Sequence, residues 1–254
     1  MSFESSQNGN IMGLLSSIVS FVLETKWLYL FNRSRVRVSS KSMWNVAKNV
    51  KIENCTFIVT GNSVVTIEDG AYLKNSIISV DNAKFIVGRN SIVGSRKKVT
   101  EIHVQNSCSF TLGHHSLLLL KRIWIRFAGC VKIGDYTNIN YDSEIRSDES
   151  VTIGSYCQIS YGINIWDTNT HNILPPEERK VLAEKYYPYF GFETTRPKTA
   201  PVVVGDYCWL GEKSTLLKGT RLGNNVIVGY NTTLPGLVVE DNKCVVTDIK
   251  LRIL

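Results

Sequence analysis

The stretch that decides the fold is residues 201–234, PVVVGDYCWLGEKSTLLKGTRLGNNVIVGYNTTL. Val204, Leu210, Leu216, Leu222, Val228 and Leu234 recur there at a spacing of six. Glycine follows four of them, as Gly205, Gly211, Gly223 and Gly229. Four residues after each aliphatic comes a small or β-branched residue: Cys208, Ser214, Thr220, Val226, Thr232 and Val238. Neither the helical period of 3.6 nor the strand period of 2 generates this order. A spacing of six fits a three-sided prism. Each side is a short strand with its aliphatic in the shaft, and Gly or Asn takes the corners that need an unusual backbone angle. Stacked coils then bury one another's aliphatics.

The same lattice runs upstream. Ile133, Ile139, Ile145 and Val151 form one set, and Ile153, Ile159 and Ile165 another, two residues out of phase; Ile52, Ile58 and Val64 repeat it earlier, and Ile67 and Leu73 begin it again. An aliphatic followed by Gly or Glu marks each new coil: Ile52, Ile67, Val87, Leu112, Ile133, Ile153, Val204 and Leu222. Most steps between these markers are close to three hexads, but that from Ile153 to Val204 is 51 residues and must hold an excursion. The expected organisation is a β-helix domain over residues 39–254 with a loop insertion at 166–201. The loop carries a short helical piece near Val181–Lys185 and an aromatic run, Tyr186 to Phe192, suited to a sugar ring or a neighbouring subunit.

Composition narrows the function classes. Of 254 residues 43% are hydrophobic and 20% charged, which supports a packed core and excludes a disordered chain. Lys plus Arg total 29 against 22 acids, and seven of the basic residues (Lys26, Arg33, Arg35, Arg37, Lys41, Lys48 and Lys51) lie between Glu24 and Glu53 with no acid among them. The remainder is neutral, which argues against nucleic acid as a partner. Residues 1–38 read as an apolar and basic helical segment. Residues 11–41 suit contact with an anionic membrane surface, or a helix that caps the domain. The apolar run Ile11–Leu23 is too short to cross a bilayer and has no signal-peptide flanks. The six cysteines have no metal-ligand or disulfide spacing and read as small core side chains in a reducing compartment.

The run from Pro201 to Tyr230 resembles the hexapeptide-repeat acyltransferases. It is most similar to the branch holding the galactoside, maltose and xenobiotic O-acetyltransferases and the sugar O-acetyltransferases of bacterial surface polysaccharides. The resemblance is clear over residues 131–238 and only rhythmic over 50–130. It implies an all-β, left-handed parallel β-helix, an exception to the right-handed crossover rule. It also implies a homotrimer with sites between subunits, acetyl-CoA as acyl donor, a glycan acceptor and no need for a metal. The implied location is the cytoplasm, peripheral to the inner membrane.

His171, in Trp166-Asp-Thr-Asn-Thr-His171, falls six residues after Ile165, where the lattice calls for another aliphatic. A polar residue in a lattice slot, just where the chain leaves the lattice, is a functional candidate. Histidine titrates near neutrality and can take a proton from a hydroxyl. The resemblance assigns this position the general base. It implies that Asn140 orients substrate, although a left-handed corner asparagine explains that residue equally well. Asp167 would orient the imidazole or bind a sugar hydroxyl. By the same resemblance Trp209 meets the acetyl-CoA arm, and the N–H of Glu212, after Gly211, faces the oxyanion. Ser214, Lys218 and Arg221 are further candidates for the donor groove. Two departures stand out: Glu212 occupies a step the family keeps small, and the Gly-x-Pro-Ala segment after the last coil is missing.

Three other functions fit parts of the sequence. N-acetylation of a nucleotide-linked amino sugar would need a nucleotide pocket. A metal hydratase on the same prism would need three converging histidines, and its only source is His103 with His114 and His115, whose adjacent side chains diverge on a strand. A non-catalytic scaffold would release no thiol from acetyl-CoA.

Overall fold

The structure, a computed structural model, describes residues 25–188 and 195–248. Its strands form three long sheets in which almost every neighbour is parallel and lies one coil away. The first sheet has ten strands, from β1 (Thr25–Phe31) and β2 (Ser34–Ser39) to β26 (Thr233–Pro235). The second has nine, from β3 (Met43–Val46) to β27 (Val238–Val239), and the third nine, from β4 (Lys51–Glu53) to β28 (Cys244–Val245). This is the left-handed β-helix of hexapeptide repeats.

The inward lattice is as expected through most of its length. All six aliphatics from Val204 to Leu234 are buried in the shaft, as are Cys208, Ser214, Thr220, Val226 and Thr232. Val238 departs: it is 68% exposed, and Val239 takes the inward slot opposite Leu222. The corner at Gly236-Leu237 is one residue shorter than its counterpart at Lys218-Gly219-Thr220, so the phase slips by one. Seven of the eight coil markers fall in one register column of the second sheet, Ile67–Val87–Leu112–Ile133–Ile153–Val204–Leu222. Ile52 does not; it pairs with Leu73 on the third sheet, and Val46 heads the column instead. The two-residue phase change within each upstream coil arises because second-sheet strands there bury two residues, such as Val151 and Ile153.

The corner after the second sheet divides its work differently from the expectation. Gly134, Gly154 and Gly205 stack there because of space: a Cβ on Gly154 would stand 2.6 Å from the backbone of Gly205. The left-handed angle falls two residues later, on Tyr136 (φ 53°), Tyr156 (58°), Tyr207 (60°) and Asn225 (54°). The residue between them stitches coils together. Asp206 accepts from the N–H of Ser155 at 2.7 Å, and Asn224 from that of Asp206 at 2.9 Å. The rings of His115, Tyr136, Tyr156 and Tyr207 stack along this edge at 4.8–5.1 Å.

The helical reading of the N-terminal segment is corrected where residues are described. Residues 25–31 form β1, which pairs antiparallel with β2 through a turn with Asn32 at φ 45° and Arg33 at φ 58°. Two consecutive left-handed residues make the turn that fits a tight hairpin, and the aromatic-rich sequence of β1 favours a strand. The capping role that was given to a helix falls to this strand, which covers the open edge of β2. Residues 1–24 lie outside the described residues. No helix among the described residues is long and apolar enough to cross a membrane.

Leu210→Ala is expected to lose about 2–5 kcal/mol of stability, whereas Val238→Ala should stay within about 0.5 kcal/mol. Chemical denaturation of both variants checks the assignment, and equal losses would contradict it.

Candidate active site

The excursion leaves the prism between β20 (Asn164–Trp166) on the first sheet and β21 (Val202–Val204) on the second. Its two arms pair with each other. Thr168 and Thr199 form an antiparallel bridge, the Asn169 N–H donates to Lys198 O at 3.0 Å, and that of Ala200 donates to Asp167 O at 2.9 Å. Asn172 Nδ2 closes the stem on Thr195 O at 3.1 Å. His171 sits on this stem, exposed, next to the buried Thr170. Beyond it, α1 (Pro176–Tyr186) buries none of its residues and displays Val181 and Leu182. The aromatic run is described only to Pro188, with Tyr187 exposed; residues 189–194 lie outside the described residues.

Asp167 does not reach for a sugar. It is 0% exposed, and both carboxylate oxygens are engaged by the preceding coil. Oδ1 accepts from the N–H of Asp148 at 2.8 Å; Oδ2 accepts from Ser147 Oγ at 2.8 Å and from the N–H of Glu149 at 3.0 Å. Burial pushes the carboxyl up, against the pull of these donors. Asp167 therefore pins the root of the loop, a role that its place four residues before His171 does not reveal.

The remaining candidates lie along the third sheet and the edge where it meets the first. Trp209 points outward and is 52% exposed, in a column with Gln158 and Ile227. Gly211 is buried and Glu212 exposed at the following corner. Lys213, which sequence reasoning passed over, is at the same corner in the left-handed conformation (φ 62°), with its ammonium 3.2 Å from the Tyr230 hydroxyl. Asn140 lies at this edge two coils earlier, where its Nδ2 donates to Ile159 O at 3.1 Å. The left-handed residue is Asp142 (φ 64°), not Asn140. Ser214 is corrected as a donor-groove residue: it is the small inward residue of its corner, wholly buried in the shaft. Lys218 belongs to the other edge, beneath the excursion, where the Gly219 N–H donates to Ala200 O at 3.1 Å.

Two groups result. His171, Asp167 and Lys218 share the first–second edge, while Asn140, Trp209, Gly211 and Glu212 share the third sheet and the third–first edge. Within one chain the width of the first sheet separates them, roughly 10–13 Å for strands of three to four residues. The histidines weighed for a metal also lie apart. His103 is in β11 (Thr100–Val104) of the first sheet, whereas His114 and His115 are at the second–third corner, with His114 Nε2 3.2 Å from Glu68.

Residues 201–236 match the family described as bacterial transferase hexapeptide (six repeats). A relative, WbbJ of Escherichia coli (strain K12), named for lipopolysaccharide biosynthesis O-acetyl transfer, is 30% identical over 123 residues, covering 44% of this chain and 55% of that protein. The chain thus spans about half the length of this curated relative. Among solved structures, the polySia-specific acetyltransferase NeuO superposes with a TM-score of 0.51 at 14% identity, over 82% of this chain and 79% of that one. That likeness is one of fold.

Asp167→Asn would set an amide NH₂ against N–H donors. It is expected to cost about 1–3 kcal/mol, read as a lowered melting temperature. Unchanged stability would contradict the anchoring role.

Proposed function

We propose that this protein is an acyltransferase, an acetyl-CoA-dependent O-acetyltransferase that modifies a sugar hydroxyl of a bacterial cell-surface polysaccharide or its precursor, with His171 as general base. One observation carries the reading: an exposed histidine stands on a hydrogen-bonded stem where the excursion leaves the hexapeptide prism. The name of the WbbJ relative supports the substrate class.

The surface around Trp209 fits an acyl-CoA arm chemically. A half-exposed indole and Ile227 offer apolar contact, and Lys213 at the adjoining corner offers a cation for phosphate. The thioester, once bound, supplies an acyl carbon already activated for transfer. The His171 imidazole takes the proton of the acceptor hydroxyl as that oxygen bonds to the thioester carbon. The Glu212 N–H donates to the oxyanion. When the C–S bond breaks, the imidazolium returns the proton to the departing sulfur. A positioned base contributes roughly 10²–10⁴ in rate, and an oxyanion donor about 10²–10³.

Because the base and the donor surface lie on different edges, a complete site needs the first–second edge of one copy against the third-sheet side of another. A closed ring of such heterologous contacts would be the homotrimer that the resemblance implies. Arg35 and Arg37 alternate with the buried Val36 and Val38 on β2 and so face outward near the N-terminal end, which suits an anionic glycan or the inner-membrane surface.

His171→Ala is expected to lower thiol release from acetyl-CoA, assayed across acceptor glycans, by at least about 10² with the fold intact. The product acetyl group should be base-labile, as an ester is. Wild-type turnover in the variant would remove His171 from the mechanism.

A further inference from the structure

Among the described residues the shaft is filled with aliphatic, aromatic and small side chains, and one corner beside it holds a buried ion pair. Arg126 is 7% exposed and makes a bidentate contact with Asp148 of the next coil, Nε to Oδ1 at 2.9 Å and a terminal nitrogen to Oδ2 at 2.7 Å. Its guanidinium also lies over the Trp124 ring, 4.6 Å from the centroid. This corner is at the first–second edge, directly beneath the root of the excursion. In the coil register Arg126, Asp148 and Thr168 follow one another in three successive turns, each two residues past the paired column Trp124–Arg146–Trp166.

The pair does not end at itself. The same terminal nitrogen of Arg126 donates to Thr170 O at 3.2 Å. Thr168 Oγ1 donates to Asp148 Oδ2 at 2.6 Å and accepts from the Thr170 N–H at 3.0 Å. Arg146 reaches Thr170 Oγ1 at 3.3 Å from the first sheet, while its ring partner is Trp166 at 4.7 Å. Thr170 is therefore held at its N–H, its carbonyl and its hydroxyl, and it is held in the left-handed conformation, φ 68°. A threonine adopts that angle only when its surroundings impose it. The next residue is His171.

Buried ion pairs are poor sources of stability, since an apolar replacement of similar volume is often as good. A pair retained here, and spent on the peptide before the candidate base, has a different use. We infer that Arg126 and Asp148 are positioning residues. Through Thr168 and Thr170 they fix the backbone that carries His171, so that the imidazole stands at one setting relative to the prism. The catalytic consequence rests on His171 being the base; the mechanical one does not.

The test compares wild type with Arg126→Lys, which keeps the charge but loses the fork, and with Thr168→Val, which leaves Arg126 and Asp148 in place and removes the hydroxyl that links Asp148 to the Thr170 N–H. Amide hydrogen exchange over residues 167–172 and steady-state kinetics are measured on each, with His171→Ala as reference. The expected result is exchange at least about tenfold faster in that segment, with coil amides unchanged, and kcat lowered about tenfold or more while KM for acetyl-CoA stays within about twofold. Thr168→Val keeps the test decisive if the lysine variant fails to fold, because it cuts the link from Asp148 to Thr170. Faster exchange in variants of a protein whose His171→Ala form turns over normally would uphold the positioning device and sink the base assignment. Exchange equal to wild type in a folded variant would overturn the inference, whatever happens to kcat.

Discussion

The structure depends on one constraint: every flat side of each coil must send an aliphatic side chain into a shaft that only the neighbouring coils can close. Main-chain hydrogen bonds run along the axis from coil to coil, so no single turn satisfies its own backbone or buries its own apolar surface. Everything else adapts to that demand. Glycines sit where stacked backbones come too close for a Cβ, tyrosines and asparagines accept the left-handed angle, and the first coil takes an antiparallel strand as its lid.

A prism of this kind has no natural cleft, so chemistry must be added where the winding is interrupted. The excursion after Trp166 is that interruption, and its root is the most polar buried region among the described residues. Asp167 faces back into the preceding coil, Asp148 is held by Arg126, and the strained Thr170 stands between them and His171. The rigid solenoid thus extends into the loop for a few residues before the chain is released. On the proposed reading His171 is presented by the scaffold rather than by the loop, the condition a positioned base requires.

Much of the fold was legible because period six is a local signal. Val204 to Leu234 could be placed inward residue by residue, and the step of 51 from Ile153 to Val204 announced the excursion. Two of the failures depend on how coils stack, not on neighbours in sequence. Val238 slipped outward because one corner lost a residue, and Ile52 landed on a different sheet from the other markers. The β1 segment looked helical because apolar residues beside arginines fit either period over so short a run. Ser214 was offered as a donor contact although its place in the hexad already made it an inward corner residue. Arg126 and Asp148, 22 residues apart, carry no motif, and only the coil register brings them together.

The central claim joins two edges: the imidazole on one copy serves a donor surface on the next. It is tested most directly by co-expressing His171→Ala and Trp209→Ala chains, each with little activity alone. If sites form between copies, random mixing restores about one quarter of wild-type turnover, because one site in four pairs an intact histidine with an intact tryptophan. Activity no greater than the sum of the two separate variants, in particles shown to contain both chains, would contradict the account.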